Sequence, residues 1–325
     1  MLDVTHIDPI EVDPTQVIER VTLVAPLGLR FWDEVSGKTI GNGLVVTAYP
    51  ATNPQRRVRA FSNPSGIYVF RHLPGLRDFE HGSGDNNFWE SLPPRRPFVI
   101  EVDDRERRFQ PFLLTTHLPV RDVFVWEDPS PASPPSPTLG VPLYSAPSRS
   151  VPAAMAVIGA ELRDPWAGPD HQGGPAAWAV IEAHIPGQPT VRGIANDKGR
   201  IALIFPYPDP GSEAFASPPD SPLLSPPAGS SSLRHQVWNI ALQAAYKPMH
   251  PVPVGRATPP IPDLRDILMQ PPATLWADTK RTKPLTEARL TFGQELILRS
   301  TDFTTEPIGG TPMSVLLITP AGSPP

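Results

Sequence analysis

The stretch Val58-Arg59-Ala60-Phe61-Ser62-Asn63-Pro64-Ser65-Gly66 returns 133 residues later as Val191-Arg192-Gly193-Ile194-Ala195-Asn196-Asp197-Lys198-Gly199. Val, Arg, Asn and Gly coincide at that offset. Each Gly is followed by a strand-like run, Ile67-Tyr68-Val69-Phe70 and Arg200-Ile201-Ala202-Leu203-Ile204-Phe205. The residues between the runs have turn chemistry: Pro presets φ, Gly supplies positive φ, and short polar side chains bond to the nearby backbone. Run, turn and run predict a β-hairpin in each copy. Upstream, Leu29-Arg30-Phe31-Trp32 aligns with Leu162-Arg163-Asp164-Pro165-Trp166, which extends the duplication.

Further strands follow outward from the hairpins. Val21 to Ala25 is a short apolar run. Leu44-Val45-Val46-Thr47-Ala48-Tyr49 is rich in β-branched residues and stops at Pro50. Phe98-Val99-Ile100-Glu101-Val102 and Phe109 to Thr115 complete the first copy. Their expected partners in the second copy are Val237-Trp238-Asn239-Ile240-Ala241-Leu242 and the stretch near Tyr246-Lys247-Pro248. Trp32, Trp166 and Trp238 fall in or at the ends of these strands and are expected in the core. Many short strands with regular turn signals point to an all-β chain of sandwich type.

Proline sets the connections. The chain has 47 Pro in 325 residues, about 14% against a usual share of roughly 5%. That excludes a long helical bundle, because each interior Pro removes a helix hydrogen bond. Three segments, 128–152, 206–228 and 247–272, each hold eight Pro. Such segments favour extended polyproline II and act as semi-rigid spacers. The sequence therefore reads as an N-terminal arm (1–19), a first β-sandwich repeat (20–127), a Pro-rich linker (128–152) and a second repeat (153–250) with a Pro-rich loop (206–228). A Pro-rich arm and a small C-terminal β unit (251–325) follow, its strands readable also as extra strands on the second sandwich, with a short helix over 263–269 capped by Asp263.

The composition also limits function. There is no Cys, which excludes disulfide scaffolds and Cys-based metal or nucleophile sites. A net charge of −5 argues against general nucleic-acid binding. The local run Arg105-Glu106-Arg107-Arg108 is offset by Asp103 and Asp104, as in a solvated strand end. Residues 1–19 lack basic and apolar signal regions, and no apolar run is long enough to span a bilayer; both features predict a cytoplasmic protein, or one that leaves only within a larger particle.

Eight scattered His lack metal-ligand spacing, and no nucleophile elbow or phosphate-binding Gly loop occurs. His81-Gly82-Ser83-Gly84-Asp85 holds Ser, His and Asp too close together to form a triad and reads as a flexible loop. Glu80, Asp85 and Glu90 beside Trp89 read as loop charges rather than a glycosidase pair. No catalytic residue, cofactor or metal is expected. The loop from Arg77 to Arg96 is long, and Phe79, Phe88 and Trp89 give it apolar anchors; these three are expected to touch a neighbouring subunit.

Each repeat resembles a prealbumin-like (transthyretin-like or carboxypeptidase-regulatory-like) β-sandwich. The resemblance rests on Trp32-Asp33-Glu34-Val35-Ser36-Gly37-Lys38, the strand Leu44 to Tyr49, and Asn63 through Gly75 with its Leu73-Pro74-Gly75 turn. The second copy departs from the pattern: Asp164-Pro165-Trp166-Ala167-Gly168 lacks the Gly-Lys, and Pro206-Tyr207-Pro208 replaces Leu-Pro-Gly. The resemblance implies a passive spacer or assembly module. Some bacterial relatives form Lys–Asn cross-links, but no such set is assignable here. The chain as a whole also resembles accessory proteins of contractile injection systems, the phage-tail-like particles. That resemblance implies a non-enzymatic structural subunit at a baseplate or cap, with other protein subunits as partners. The alternative is a carbohydrate- or surface-binding module.

Overall fold

The computed structural model describes residues 23–91, 94–129, 140–152, 154–167, 173–208, 236–249, 260–302, 311–312 and 314–322. The described residues are all-β, with three short helices among them, Arg77–Glu80, Asn86–Glu90 and Leu264–Leu268. The N-terminal arm, the Pro-rich loop 209–228 and the start of the C-terminal arm lie outside the described residues, as do Val21 and Thr22 of the first apolar run.

Both expected Asn-to-Gly turns form and are alike bond for bond, but their arms differ. Phe61–Ser62 pairs with Tyr68–Val69 as a hairpin. In the second copy Val191–Ile194 pairs with Val180–His184 and Arg200–Pro206 with Met155–Asp164, so the turn there joins two different ladders. Asn63 Oδ1 accepts from the N–H groups of Ser65 and Ile67 (3.0 and 2.9 Å). Asn196 Oδ1 accepts from Lys198 and Arg200 (2.9 Å each). Gly66 and Gly199 both hold positive φ, 73° and 75°. A side chain on Gly199 would also press into the Leu162 carbonyl, so glycine is required there twice over.

The first strands align differently from the sequence match. Leu29 pairs with Tyr68, and Ala160 with Ile201. The equivalent of Phe31 is therefore Leu162, and Asp33 corresponds to Asp164. Asp33 Oδ1 accepts from Val35 N–H and Asp164 Oδ1 from Trp166 N–H (3.2 and 2.9 Å), and both Asp side chains are buried. The Leu-Arg letters matched two positions out of register, because the buried Asp turn fixes the strand more firmly than the apolar letters do.

In the N-terminal half, one sheet runs Val58–Arg59, Leu44–Pro50, Arg96–Asp104, Phe112–Leu118. In the C-terminal half, Val191–Ile194, Val180–His184 and Val237–Ala245 repeat its first three strands. The fourth place is taken by Glu287–Thr291, not by the stretch near Tyr246. Pro248 has no N–H to give a ladder, and Tyr246 N–H donates instead to the Pro271 carbonyl.

Two parallel pairings change the expected organisation. Val141–Leu143 lies along Phe31–Asp33, so part of the segment read as a linker is an edge strand of the N-terminal half, where Pro142 is tolerated. Leu296–Leu298 and Leu316–Pro320 run parallel to Met155–Asp164, and Pro272–Trp276 pairs with both Val237–Ala245 and Leu316–Pro320. Of the two readings of the C-terminal strands, the extra-strand one describes four of them, while Thr301–Asp302 and Thr311–Pro312 form a separate pair. Pro272–Trp276, Glu287–Thr291, Leu296–Leu298 and Leu316–Pro320 belong to the ten-stranded sheet, and Leu275, Leu290, Leu298, Leu316 and Ile318 are buried in its core.

Asp263 caps the helix Leu264–Leu268 as expected, its Oδ1 accepting from Arg265 N–H (2.9 Å). Its Oδ2 accepts from Thr115 N–H (2.7 Å) on the edge strand Phe112–Leu118. Leu113 N–H donates to the Pro262 carbonyl beside it (3.0 Å). Leu264, Ile267 and Leu268 then join the N-terminal core, which also takes in Trp178, Val180 and Ile194 from the C-terminal half. Asp263→Ala removes a cap and an edge acceptor together. A loss of about 1–3 kcal/mol is expected in urea unfolding, with Asp263→Asn, which keeps one acceptor oxygen and turns an amide donor on the other N–H, recovering only part of it. An Asp263→Asn variant as stable as the parent would show that the two carboxylate oxygens do not both carry these bonds.

Candidate functional site

The two halves meet around one guanidinium. Arg192 stands on the strand Val191–Ile194, directly across the ladder from Glu182 on Val180–His184. Its Nε donates to Glu182 Oε1 (2.8 Å), and its Nη1 donates to Asp128 Oδ2 (3.1 Å), which comes from the N-terminal half. The Arg192 side chain is only 10% exposed. Loss of hydration would pull it down, but Tyr144, Asp128 and Glu182 outweigh that and hold it firmly charged. Burial pushes the Tyr144 phenol up, and the negative Glu34 adds to the shift. Nearby, Gln110 Nε2 donates to the Ile194 carbonyl, and Gln270 Nε2 to the Trp178 carbonyl (3.3 and 2.7 Å).

Two clefts flank this junction. One, of about 570 Å³, lies between the halves and is bordered by Trp32, Glu34 and Tyr144 on one side and by Arg192, Ile204 and Phe205 on the other. The second, of about 480 Å³, lies on the far side of Trp32 and Glu34 and includes Arg30, Trp126 and Asp128. The strand Phe31–Asp33 turns Phe31 and Asp33 inward and Trp32 outward. Asp33 is held below the usual carboxylate range. Desolvation opposes this, but hydrogen bonds from Arg149 and Ser36 prevail. Glu34 reaches solvent at the cleft mouth. The surrounding walls still strip enough hydration to push its carboxyl up to about 7; Arg192 opposes the shift, and Asp128 and Asp33 add to it.

The loop residues singled out from sequence do come together. Phe79, Phe88 and Trp89 form a ring cluster with centroids 4.8, 5.3 and 5.8 Å apart. Phe79 is buried and the other two are half-buried. The loop is more ordered than its Gly-rich sequence suggests. Asp85 caps the helix Asn86–Glu90, accepting from Phe88 N–H (2.8 Å), and Gly82 packs against the Phe88 ring. Glu80 is buried and accepts from His72 N–H, so it is not a free loop charge. Of the three Trp expected in the core, Trp238 is buried, while Trp32 and Trp166 are 41% and 37% exposed. Strand alternation, not proximity to a strand, decides which face an indole takes.

The junction residues Glu34, Tyr144, Asp128, Glu182 and Arg192 carry no sequence motif. The available signal is an opposite-charge pair, Glu182 and Arg192, on neighbouring strands of one hairpin. Among the described residues, no three His, Asp or Glu side chains are placed to hold a metal ion. No described helix is long and apolar enough to cross a membrane. No protein-family model matches the chain, and no curated protein matches it significantly.

Replacing Arg192 by Met leaves Asp128 and Glu182 without their cation in a place poor in water. A loss of about 3–5 kcal/mol is expected by chemical denaturation, with Asp128→Asn far milder; similar losses from both would place Arg192 in a merely packing role. Glu34 acts in the opposite direction. Its folded-state pKa lies above the ordinary value, so its contribution is full at acid pH and is lost as pH rises through about 7. Water reaching the residue screens part of this effect. The melting temperature should therefore fall between about pH 4.5 and 7 more steeply in the parent protein than in Glu34→Gln, with the difference levelling off above about pH 7; identical slopes would refute the assignment.

Proposed function

We propose that this chain is a non-enzymatic structural subunit of a large multiprotein assembly that bridges its neighbours. The assembly the sequence resemblance favours is a phage-tail-like contractile injection system, at its baseplate or cap. Tandem prealbumin-like sandwiches are part of the same proposal, supported by the matching Asn turns and by the repeated order of three strands. The observation that carries the reading is the junction. A shared core and the Asp128–Arg192–Glu182 pairing tie the halves into one stiff body. A stiff body loses little further freedom when it docks, which suits a bridging part. Large apolar side chains are partly exposed on both halves, Trp32 on one and Val237 and Ile297 on the other, with Phe61 and Trp166 also at the surface beneath Arg71 and Arg281. They offer contact points on more than one side.

A second reading, a carbohydrate- or surface-binding module, is favoured by the exposed Trp32 beside its two clefts. A glycan array separates the two readings.

The Phe79–Phe88–Trp89 cluster is the contact loop of the proposal. Glu80 anchors the loop to the body, so the test must leave Glu80 in place. Phe88→Ala and Trp89→Ala should each lower the unfolding free energy by no more than about 1–2 kcal/mol and deplete the chain from a high-mass particle in native extract. A parent protein that runs as a monomer in native extract would defeat the subunit reading. Variants that stay particle-bound would defeat the loop assignment alone.

A further inference from the structure

Trp32 points outward from the strand Phe31–Asp33, Glu34 is exposed at the start of the turn that follows it, and both border the two junction clefts. Every other acid near them is engaged. Asp33 is held by Arg149 (2.8 Å), and Asp128 and Glu182 share Arg192. Glu34 has neither a hydrogen bond nor a close ion pair among the described residues, and Arg192 acts on it only at a distance. The charged and titratable groups facing it are Arg30 and Asp33 from the adjoining stretch of chain, Asp128 and Tyr144 from the segments behind, and Arg192 from the C-terminal hairpin. A carboxylate without a close cation, beside a part-exposed indole at the mouth of the same clefts, is matched best by one kind of ligand group. A cation gains from the ring's negative face and from the carboxylate at once.

We propose that Trp32 and Glu34 form a receptor for one basic side chain, a guanidinium or ammonium group, carried by a partner protein. This inference rests on the subunit reading and gives that partner its chemistry. A neutral sugar stacked on Trp32 would leave Glu34 uncompensated, which favours the cation. Insertion of the cation requires ionised Glu34, so binding releases a proton and strengthens as pH rises through about 7.

The test uses the full chain with ¹⁵N-labelled tryptophan, with the Trp32 indole resonance identified by its loss in Trp32→Phe. The probe is N-acetyl-argininamide, and the neutral control of the same shape is N-acetyl-citrullinamide. A saturable shift of the Trp32 resonance is expected with the arginine compound and none with the citrulline compound. Affinity should rise about tenfold from about pH 6 to about pH 8, following Glu34 ionisation. Glu34→Gln should weaken binding about tenfold or more and abolish the pH response, with the other indole resonances unmoved as proof of an intact fold. No shift, an equal shift with citrulline, or unchanged binding in Glu34→Gln would overturn the receptor. A response to cellobiose instead would transfer the site to the carbohydrate reading. A chain found in a particle but silent to the probe loses the receptor and keeps the subunit role. A responsive chain that is always monomeric keeps the receptor and loses that role.

Discussion

An edge strand leaves a row of outward N–H and C=O groups, and the fold turns on how one such row is closed. The edge is Phe112–Leu118 in the N-terminal half. Its Leu113 and Thr115 N–H groups are taken by the Pro262 carbonyl and the Asp263 carboxylate. The chain that supplies these acceptors connects two strands of the other half, Val237–Ala245 and Pro272–Trp276. Closing the edge therefore joins the halves in the same act. An open edge invites pairing with another chain; here it is covered from within. The helix that follows sends Leu264, Ile267 and Leu268 into the N-terminal core. Gln270 then bonds the Trp178 carbonyl and receives Lys247 N–H.

The polar junction completes what the connector begins. A buried guanidinium is costly unless its donors are matched, and Arg192 finds carboxylates on both halves. Such pairing adds direction that apolar packing lacks, because Asp128 and Arg192 meet only when the halves are correctly placed. The cost appears at Glu34, which is crowded by the same walls and left without a close cation. In the functional reading the stiffness and the unmatched carboxylate have one origin, the close seating of the two halves.

Local chemistry was legible in the sequence and pairing at a distance was not. The Asn-to-Gly turns, the first hairpin and the Asp263 cap depend on residues within a few positions of each other, and these are present, while the arms of the second turn pair with distant strands instead. The apolar runs at 44–49, 98–102 and 237–242 are strands for the same reason. The parallel strands Val141–Leu143 and Leu316–Pro320 are different. Each is short, Pro-containing and far in sequence from its partner, so nothing local marks it as part of a sheet. The aromatic loop lies between these cases. Its three rings were evident as a group, but the cap at Asp85 and the anchoring of Glu80 depend on folded geometry.

The sequence by itself determined that the chain is β-rich, that the Asn-to-Gly turn recurs in each half, and where one helix starts, because these follow from steric preferences and hydrogen bonds over a few residues. Tertiary structure alone decided that Trp32 faces outward, that the C-terminal strands complete the ten-stranded sheet, and that Arg192 serves the junction while its counterpart Arg59 stays exposed. Both arginines oppose a strand neighbour in a like hairpin, Glu182 in one case and Thr47 in the other. Only the arrival of the other half over one of them removes water and makes its charge a matter of pairing.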